Sequence, residues 1–349
     1  MKSRLEQREV TTIPVVQIRP NCLLVYNQII NRSGFKSKHV VNPTISSEQT
    51  GKQGSKSLTG EKTYSGDMTK ASVMRLKRVV NTLVAISEEK VAEDWKRGKS
   101  FRFKLNFITL TLPAEQGMHT DKDLKKKALD PLLKRLKRKY NLKSYVWKAE
   151  KQKNGNLHFH LTTDTYIHYE DLRNEWNGVL TALGYIETFR QKHGHSNPNS
   201  TDIHAIHKVR DLTSYLVKYM TKANKDDGNI DGKMWDCSIN LKQKIKCALE
   251  IDNGTHEWLV DSFSRFQDNI REKEWCTFLF LKENEFKKVV NGKYLVLYNE
   301  WRKAIREYER PERMIKVPVV KEEKRHVKRF NKVFDQLSLV LPPGWTKRN

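Results

Sequence analysis

The stretch that most constrains this chain is Glu150-Lys-Gln-Lys-Asn-Gly-Asn-Leu-His-Phe-His-Leu-Thr-Thr-Asp164. From Leu157 to Thr162 apolar and polar residues alternate without a break. Side chains in a strand alternate with period 2, so Leu157, Phe159 and Leu161 share one face and His158, His160 and Thr162 the other. Two imidazoles on one strand face can converge on a divalent ion, because neutral imidazole is a common metal ligand. A histidine pair on an exposed strand also occurs as nothing more than a polar face.

The residues just upstream decide between these readings. Ser144 to Glu150 (Ser-Tyr-Val-Trp-Lys-Ala-Glu) reads as a partner strand rich in β-formers, and Asn154-Gly155 marks the turn between them. A two-residue Asn-Gly loop would set Glu150 opposite Phe159, on the apolar face. A three-residue loop, Lys153-Asn154-Gly155 with Gly155 left-handed, sets Glu150 opposite His158. The second register is favoured, because a carboxylate facing two histidines completes a metal site. Glu150, His158 and His160, with open positions left over, suit a hard-to-borderline cation such as Mn2+ or Mg2+. No cysteine lies near, so a structural zinc site is not expected.

The chain has 349 residues, enough for two or three domains and a sizeable core. Its 66 Lys+Arg against 41 Asp+Glu give a formal charge of +25. Such an excess calls for a polyanionic partner, with nucleic acid first. A basic membrane-surface protein would instead carry one concentrated amphipathic basic helix or an anchor. No apolar run is long enough to span a bilayer, and Met1 to Pro20 lacks the apolar region of a signal peptide. Cys22, Cys237, Cys247 and Cys276 form no CxxC pair and read as reduced thiols in a cytoplasmic protein.

Taken in order, residues 1–66 read as a flexible N-terminal region with one short strand, Ile13 to Val25. Residues 67–99 are a helical lead-in: Val73, Leu76, Val80 and Leu83 fall at helical spacing, Thr69 or Asp67 supplies the cap, and Glu88 to Lys99 is a charged continuation. Phe107 to Pro113 is a strand in which Ile108, Leu110 and Leu112 alternate with Thr109 and Thr111. Thr120 to Tyr140 is an amphipathic helix with a leucine stripe. Thirteen basic and four acidic residues fall between Asp121 and Lys153. That surface is read as lying beside the histidine strand and facing phosphate. Thr109 and Thr111, with Lys148 and Lys151, are the candidate contacts to nucleic acid, although threonine is also an ordinary strand former. Tyr169 to Leu183 is a further helix. His193 and His195 belong to a polar loop, residues 190–201. Asp202 to His207 is a short strand whose His204 and His207 face opposite ways. In Asp211 to Lys222, Tyr215 and Tyr219 stand at i and i+4 on one helix face, each with a lysine three residues on, Lys218 and Lys222. Two core tyrosines with snorkelling lysines would give the same spacing. Residues 246–349 carry no assignable motif.

Thr-Leu-Thr strand, His-Phe-His strand and Tyr-x-x-Lys helix, in this order, resemble the three motifs of the HUH (His-hydrophobic-His) endonucleases that initiate rolling-circle replication. Tyr215-Leu-Val-Lys-Tyr-Met-Thr-Lys222 resembles the paired-tyrosine motif of microvirus A-type phage initiators, and Met234-Trp-Asp-Cys-Ser238 is similar to a segment that follows it in phage and plasmid members. The resemblance covers about residues 100–225. It implies an α+β fold, with a central antiparallel sheet of about five strands and packed helices, in a domain at 100–245. The alternating faces suit a sheet covered on one side. It also implies metal-dependent nicking of single-stranded origin DNA, with Tyr219 or Tyr215 ending as a 5′-phosphotyrosine and the free 3′-hydroxyl priming synthesis. Spacing does not rank the tyrosines; Tyr219 is preferred because single-tyrosine relatives look closest to its half of the motif. A phenol with a pKa of about 10 is a poor nucleophile at neutral pH, so Lys218 and Lys222 would lower it or stabilise charge on phosphorus.

No G-x-x-x-x-G-K-[ST] loop is present, so strand separation would fall to a separate host helicase in the cytoplasm of a bacterial host. Two other readings compete. One is a transposase or relaxase of the same superfamily, although relaxases usually carry the tyrosine before the histidine motif. The other is a non-catalytic single-stranded-DNA-binding protein using basic residues and aromatic stacking.

Overall fold

A computed structural model describes residues 11–30, 68–94, 98–117, 119–206, 212–221 and 230–309. The Asn31–Gly66 stretch, Asp67, His207 and Lys222 therefore lie outside the described residues. The fold is α+β. It opens with β1 (Thr11–Arg19) and β2 (Cys22–Ile30), followed by α1 (Lys70–Ile86), β3 (Lys90–Asp94), β4 (Lys99–Phe103) and β5 (Leu105–Leu110). A helical run comes next: α2 (Asp121–Leu124), a π-helical turn (Lys125–Leu129) and α3 (Asp130–Tyr140). Then come β6 (Tyr145–Lys151), β7 (Leu157–Thr163), α4 (Tyr169–Thr181), α5 (Tyr185–His193), β8 (Thr201–Ile206) and α6 (Leu212–Thr221). The last part holds β9 (Trp235–Cys237), β10 (Cys247–Glu250), α7 (Asn253–Phe263), β11 (Ile270–Lys273), β12 (Cys276–Phe280), α8 (Glu283–Val289) and α9 (Gly292–Arg306).

The first sheet is antiparallel with strand order β8-β5-β7-β6-β9, which puts the histidine strand β7 at its centre. Leu157, Phe159 and Leu161 have no exposed surface and pack with Leu132, Leu136, Leu172 and Trp176 of α3 and α4. Burying each large apolar side chain is worth about 1.5–3 kcal/mol. A one-residue slip of β7 would turn all three to the other face at a cost of several kcal/mol, so the alternation fixes which way the histidines point. The helical run breaks its α-geometry at Pro131, at the start of α3. Proline cannot donate to the carbonyl four residues back and its ring crowds it, and the π turn just before it accommodates this: Asp130 N–H bonds Lys125 O, five residues back.

Four sequence expectations are corrected. The sheet is covered on both faces, because α1 and α6 pack over part of the histidine face through Leu76, Val80, Leu216 and Met220, against Leu105 and Val146. The basic helix does not lie beside the histidines. Its leucine stripe must seal the apolar face of the sheet, so its lysines and arginines project from the far layer. Ile13 to Val25 is two strands. Pro20 and Asn21 form the turn, and Asn21 takes φ 55° in the pattern of a type II turn. Glu88 to Lys99 does not continue α1: Ser87 ends that helix, and β3 and β4 form a hairpin. At the other end of α1, Thr69 is the cap and accepts from Ser72 N–H.

A second antiparallel sheet, of order β10-β1-β2-β12-β11, joins strands from both ends of the described chain. Its inner face (Val16, Ile18, Leu23, Val25, Leu279) shares one apolar cluster with α1, α6 and α9. The four cysteines are free and buried. Among the described residues no helix is long and apolar enough to cross a membrane.

Candidate active site

The β6–β7 hairpin builds the centre of the site. Gly155 N–H bonds Gln152 O (2.8 Å), Gln152 N–H bonds Asn156 O (2.8 Å), and Gly155 takes φ 81°. This is a three-residue loop closed by a left-handed glycine. It pairs Glu150 with His158 and Lys148 with His160. A side chain at 155 would meet no atom but would be forced into a left-handed backbone. Gly155→Ala is accordingly expected to cost about 1 kcal/mol by thermal melting. An unchanged melting temperature would show that the loop relaxes to another turn.

Glu150, His158 and His160 each offer one ligand atom, and these atoms lie within 4.8 Å of one another, so the three can hold a metal ion. Glu150 Oε2 is 3.2 Å from His160 Nε2 and 3.5 Å from His158 Nε2. The other carboxylate oxygen, Oε1, is held by the ammonium of Lys148, which has no exposed surface. The lysine thereby fixes the carboxylate with Oε2 turned to the imidazoles. His160 is oriented from behind by the Thr109 hydroxyl, 3.2 Å from Nδ1, and by Phe107, whose ring stacks on it at 5.1 Å. Such outer contacts commonly fix the ligating nitrogen of a metal-bound histidine. Nδ1 of His158 is buried with no hydrogen-bond partner among the described residues. One carboxylate oxygen and two neutral imidazoles form a donor set that fits a borderline divalent cation and leaves coordination positions open.

Burial alone would raise the Glu150 carboxyl, but hydrogen bonds from His158 and His160 and the charge of Lys148 hold it well below the usual carboxylate range. A depressed carboxylate stabilises the fold above its unfolded pKa of about 4.3, and that contribution is lost as pH falls through the folded value. Removing the carboxylate strands a fully buried ammonium. Glu150→Ala is expected to destabilise the protein by about 3–5 kcal/mol in urea unfolding, whereas Lys148→Met/Glu150→Leu, which removes both charges, recovers most of that loss. A double variant no more stable than Glu150→Ala would show that the pair is not the source.

α6 carries the tyrosines. Leu216 and Met220 are buried against α1, which leaves Tyr215 and Tyr219 on the neighbouring exposed face, 37% and 48% accessible. Their rings are 4.7 Å apart, and Tyr219 lies 6.2 Å from Phe107, the ring that stacks on His160. Desolvation, the hydrogen bond with Tyr219 and the charge of Tyr219 all raise the Tyr215 phenol above its ordinary pKa. Lys218 is exposed on the same helix.

The candidate nucleic-acid contacts are placed differently from expectation. Lys148 is wholly buried on Glu150 and has no surface to offer a phosphate. Lys151 pairs with Asp121 at 2.6 Å, in a cluster where Gln116 also donates to Asp121. Thr109 serves His160, and the Thr111 hydroxyl donates to Ser200 O at 3.0 Å. Phe107 was not singled out from the sequence, although it shares the period-2 face of Thr109. An exposed His204–Asp202 pair (2.7 Å) lies opposite Phe107 and Thr109 on β8 and had drawn no role. Met234 to Ser238 forms the edge of the sheet: β9 pairs with β6, with Trp235 opposite Lys148.

An α+β sheet with a His-His-Glu cluster at its centre and a tyrosine helix laid beside it is the class that fold and site define. A model of the replication-associated protein ORF2 family matches residues 105–224, from β5 through the histidine hairpin to the tyrosine helix. The match supports placing this segment in a replication initiator family. No curated protein and no solved structure matches the chain.

Proposed function

We propose that the chain is a rolling-circle replication initiator that nicks and rejoins single-stranded origin DNA through a covalent tyrosine link. The observation that carries this reading is the convergence of Glu150 Oε2 with Nε2 of His158 and His160, one aromatic ring away from Tyr219. Mn2+ or Mg2+ bound there would serve as a Lewis acid on the scissile phosphate. Glu150, locked by Lys148, and His160, locked by Thr109 and Phe107, hold the donors in place. The Tyr219 oxygen attacks phosphorus and its proton passes to solvent. The P–O3′ bond breaks, and the leaving oxygen takes up a proton. The products are a 5′-phosphotyrosine and a 3′-hydroxyl. The link conserves the phosphodiester, so rejoining needs no nucleotide hydrolysis, while duplex opening falls to a separate helicase.

The test is incubation of the protein with a labelled single-stranded oligonucleotide spanning the cognate origin and Mn2+, followed by a denaturing gel. A labelled band at the mass of protein plus DNA is expected. Binding without any adduct would leave a non-catalytic single-strand binder.

Binding itself is expected to be steeply salt-dependent, given the +25 formal charge. The logarithm of the affinity should fall linearly with that of the salt concentration, by roughly 0.7 per phosphate contacted on a single strand. A flat profile in anisotropy titrations would contradict this and point to an acidic protein partner.

A further inference from the structure

The second sheet has an outer face that the nicking chemistry does not use. Phe278 and Phe280 stand at i and i+2 on β12 with rings nearly parallel, 10° apart at 6.0 Å. Trp275, at the β11–β12 turn, meets the edge of Phe278 at 6.3 Å and is 65% exposed; Phe280 is 42% exposed. Two arginines lie over these rings: Arg19 at 6.0 Å from Phe278, and Arg271 at 5.3 Å from Phe280. Arg19 also donates to Gln17 at 2.8 Å. The register puts Lys273 opposite Cys276, on this same face. The charges of Arg19 and Lys273 act on the buried Cys276 thiol, and that of Arg19 also on Cys22 and Tyr26, so the cations crowd over one patch.

Three aromatic rings in a row along a strand, interleaved with guanidinium groups, are costly to leave in water. They also suit one ligand class well. Unpaired bases stack on aromatic rings and guanidinium planes, and their phosphates need cations beside them. Protein partners could use the apolar surface, but the cations at its centre favour a polyanion, in line with the charge of the whole chain. Duplex DNA hides its bases and offers such rings nothing to stack on.

We infer that the outer face of the second sheet, centred on Trp275, Phe278 and Phe280 with Arg19 and Arg271, is a binding platform for single-stranded DNA. It is separate from the histidine hairpin, and it stands whether or not the chain proves to be a nuclease. It would hold a strand outside the site, raising the local concentration of DNA at the metal face without taking part in chemistry.

The full-length protein is titrated in EDTA, which stops any metal-dependent cleavage, against a fluorescent mixed-sequence oligonucleotide of about 20 nucleotides. Trp275→Ala/Phe280→Ala changes only exposed side chains. Stacking losses of the size measured for single aromatics predict an affinity at least roughly tenfold weaker. Trp275→Phe/Phe280→Tyr keeps the rings and is expected to bind nearly as wild type. Photocross-linking followed by peptide mapping should place DNA on the 270–280 peptide. Unchanged affinity in the alanine variant, together with cross-links only elsewhere, would overturn the proposal. So would a wild-type dimer that the alanine variant converts to monomer with affinity intact, since the face would then join copies of the chain.

Discussion

Replacing His158 and His160 together by alanine is expected to abolish strand cleavage while leaving most single-stranded DNA binding in place. The two imidazoles supply two of the three converging donors, and Glu150 alone, already held through one oxygen by Lys148, is a weak remaining ligand. Lewis-acid stabilisation at a phosphoryl centre is worth several kcal/mol. At 1.36 kcal/mol per tenfold, its loss should slow the step by about a thousandfold or more. Binding should persist, because affinity for single strands rests on Lys, Arg and aromatic side chains that the substitution does not touch. Both side chains point off the sheet, away from the Phe159 core, so the fold should survive. Calorimetric titration with Mn2+ checks the metal separately from the DNA: a wild-type binding event that vanishes in the variant is expected. Cleavage at the wild-type rate in the double variant would remove the metal from the reaction.

The hairpin was legible from its sequence because everything that shapes it is local. Alternation from Leu157 to Thr162 names the two faces, and Gly155 permits the left-handed turn that pairs Glu150 with His158. Lys148 could have been read the same way. It lies two residues before Glu150 on the same strand face, where a lysine between a buried sheet and a carboxylate is a partner to that carboxylate before it is a contact for DNA. The basic helix was misplaced because periodicity shows which stripe is apolar but not which side of the sheet the stripe will seal. The second sheet was missed for a related reason. Its pairings β1–β10 and β2–β12 join residues more than two hundred positions apart, and no local pattern announces a partner at that distance.

Tyr219→Phe is expected to remove the covalent adduct, and Tyr215→Phe to leave a first adduct but stop repeated transfer. Phenylalanine keeps the ring and deletes only the oxygen, so stability and DNA binding should change little on an exposed helix face. The structure gives two reasons to rank the pair that spacing could not. Tyr219 is the member adjacent to Phe107, and through it to His160. Tyr215 is the member whose phenol is pushed up, by desolvation first and then by its hydrogen bond with Tyr219 and that group's charge, which makes its oxygen the harder of the two to deprotonate near neutral pH. Once Tyr219 is esterified to DNA it is no longer a phenol, its hydrogen-bonding to Tyr215 changes, and the second oxygen, 4.7 Å away ring to ring, is placed to attack the next phosphate. Alternation of this kind would let successive rounds proceed without release of the strand. Single-turnover assays on an origin oligonucleotide read the first step, and a strand-exchange assay with a second oligonucleotide reads the transfer. Adduct lost only in Tyr215→Phe would reverse the order. Full adduct in the double variant would place the nucleophile outside α6.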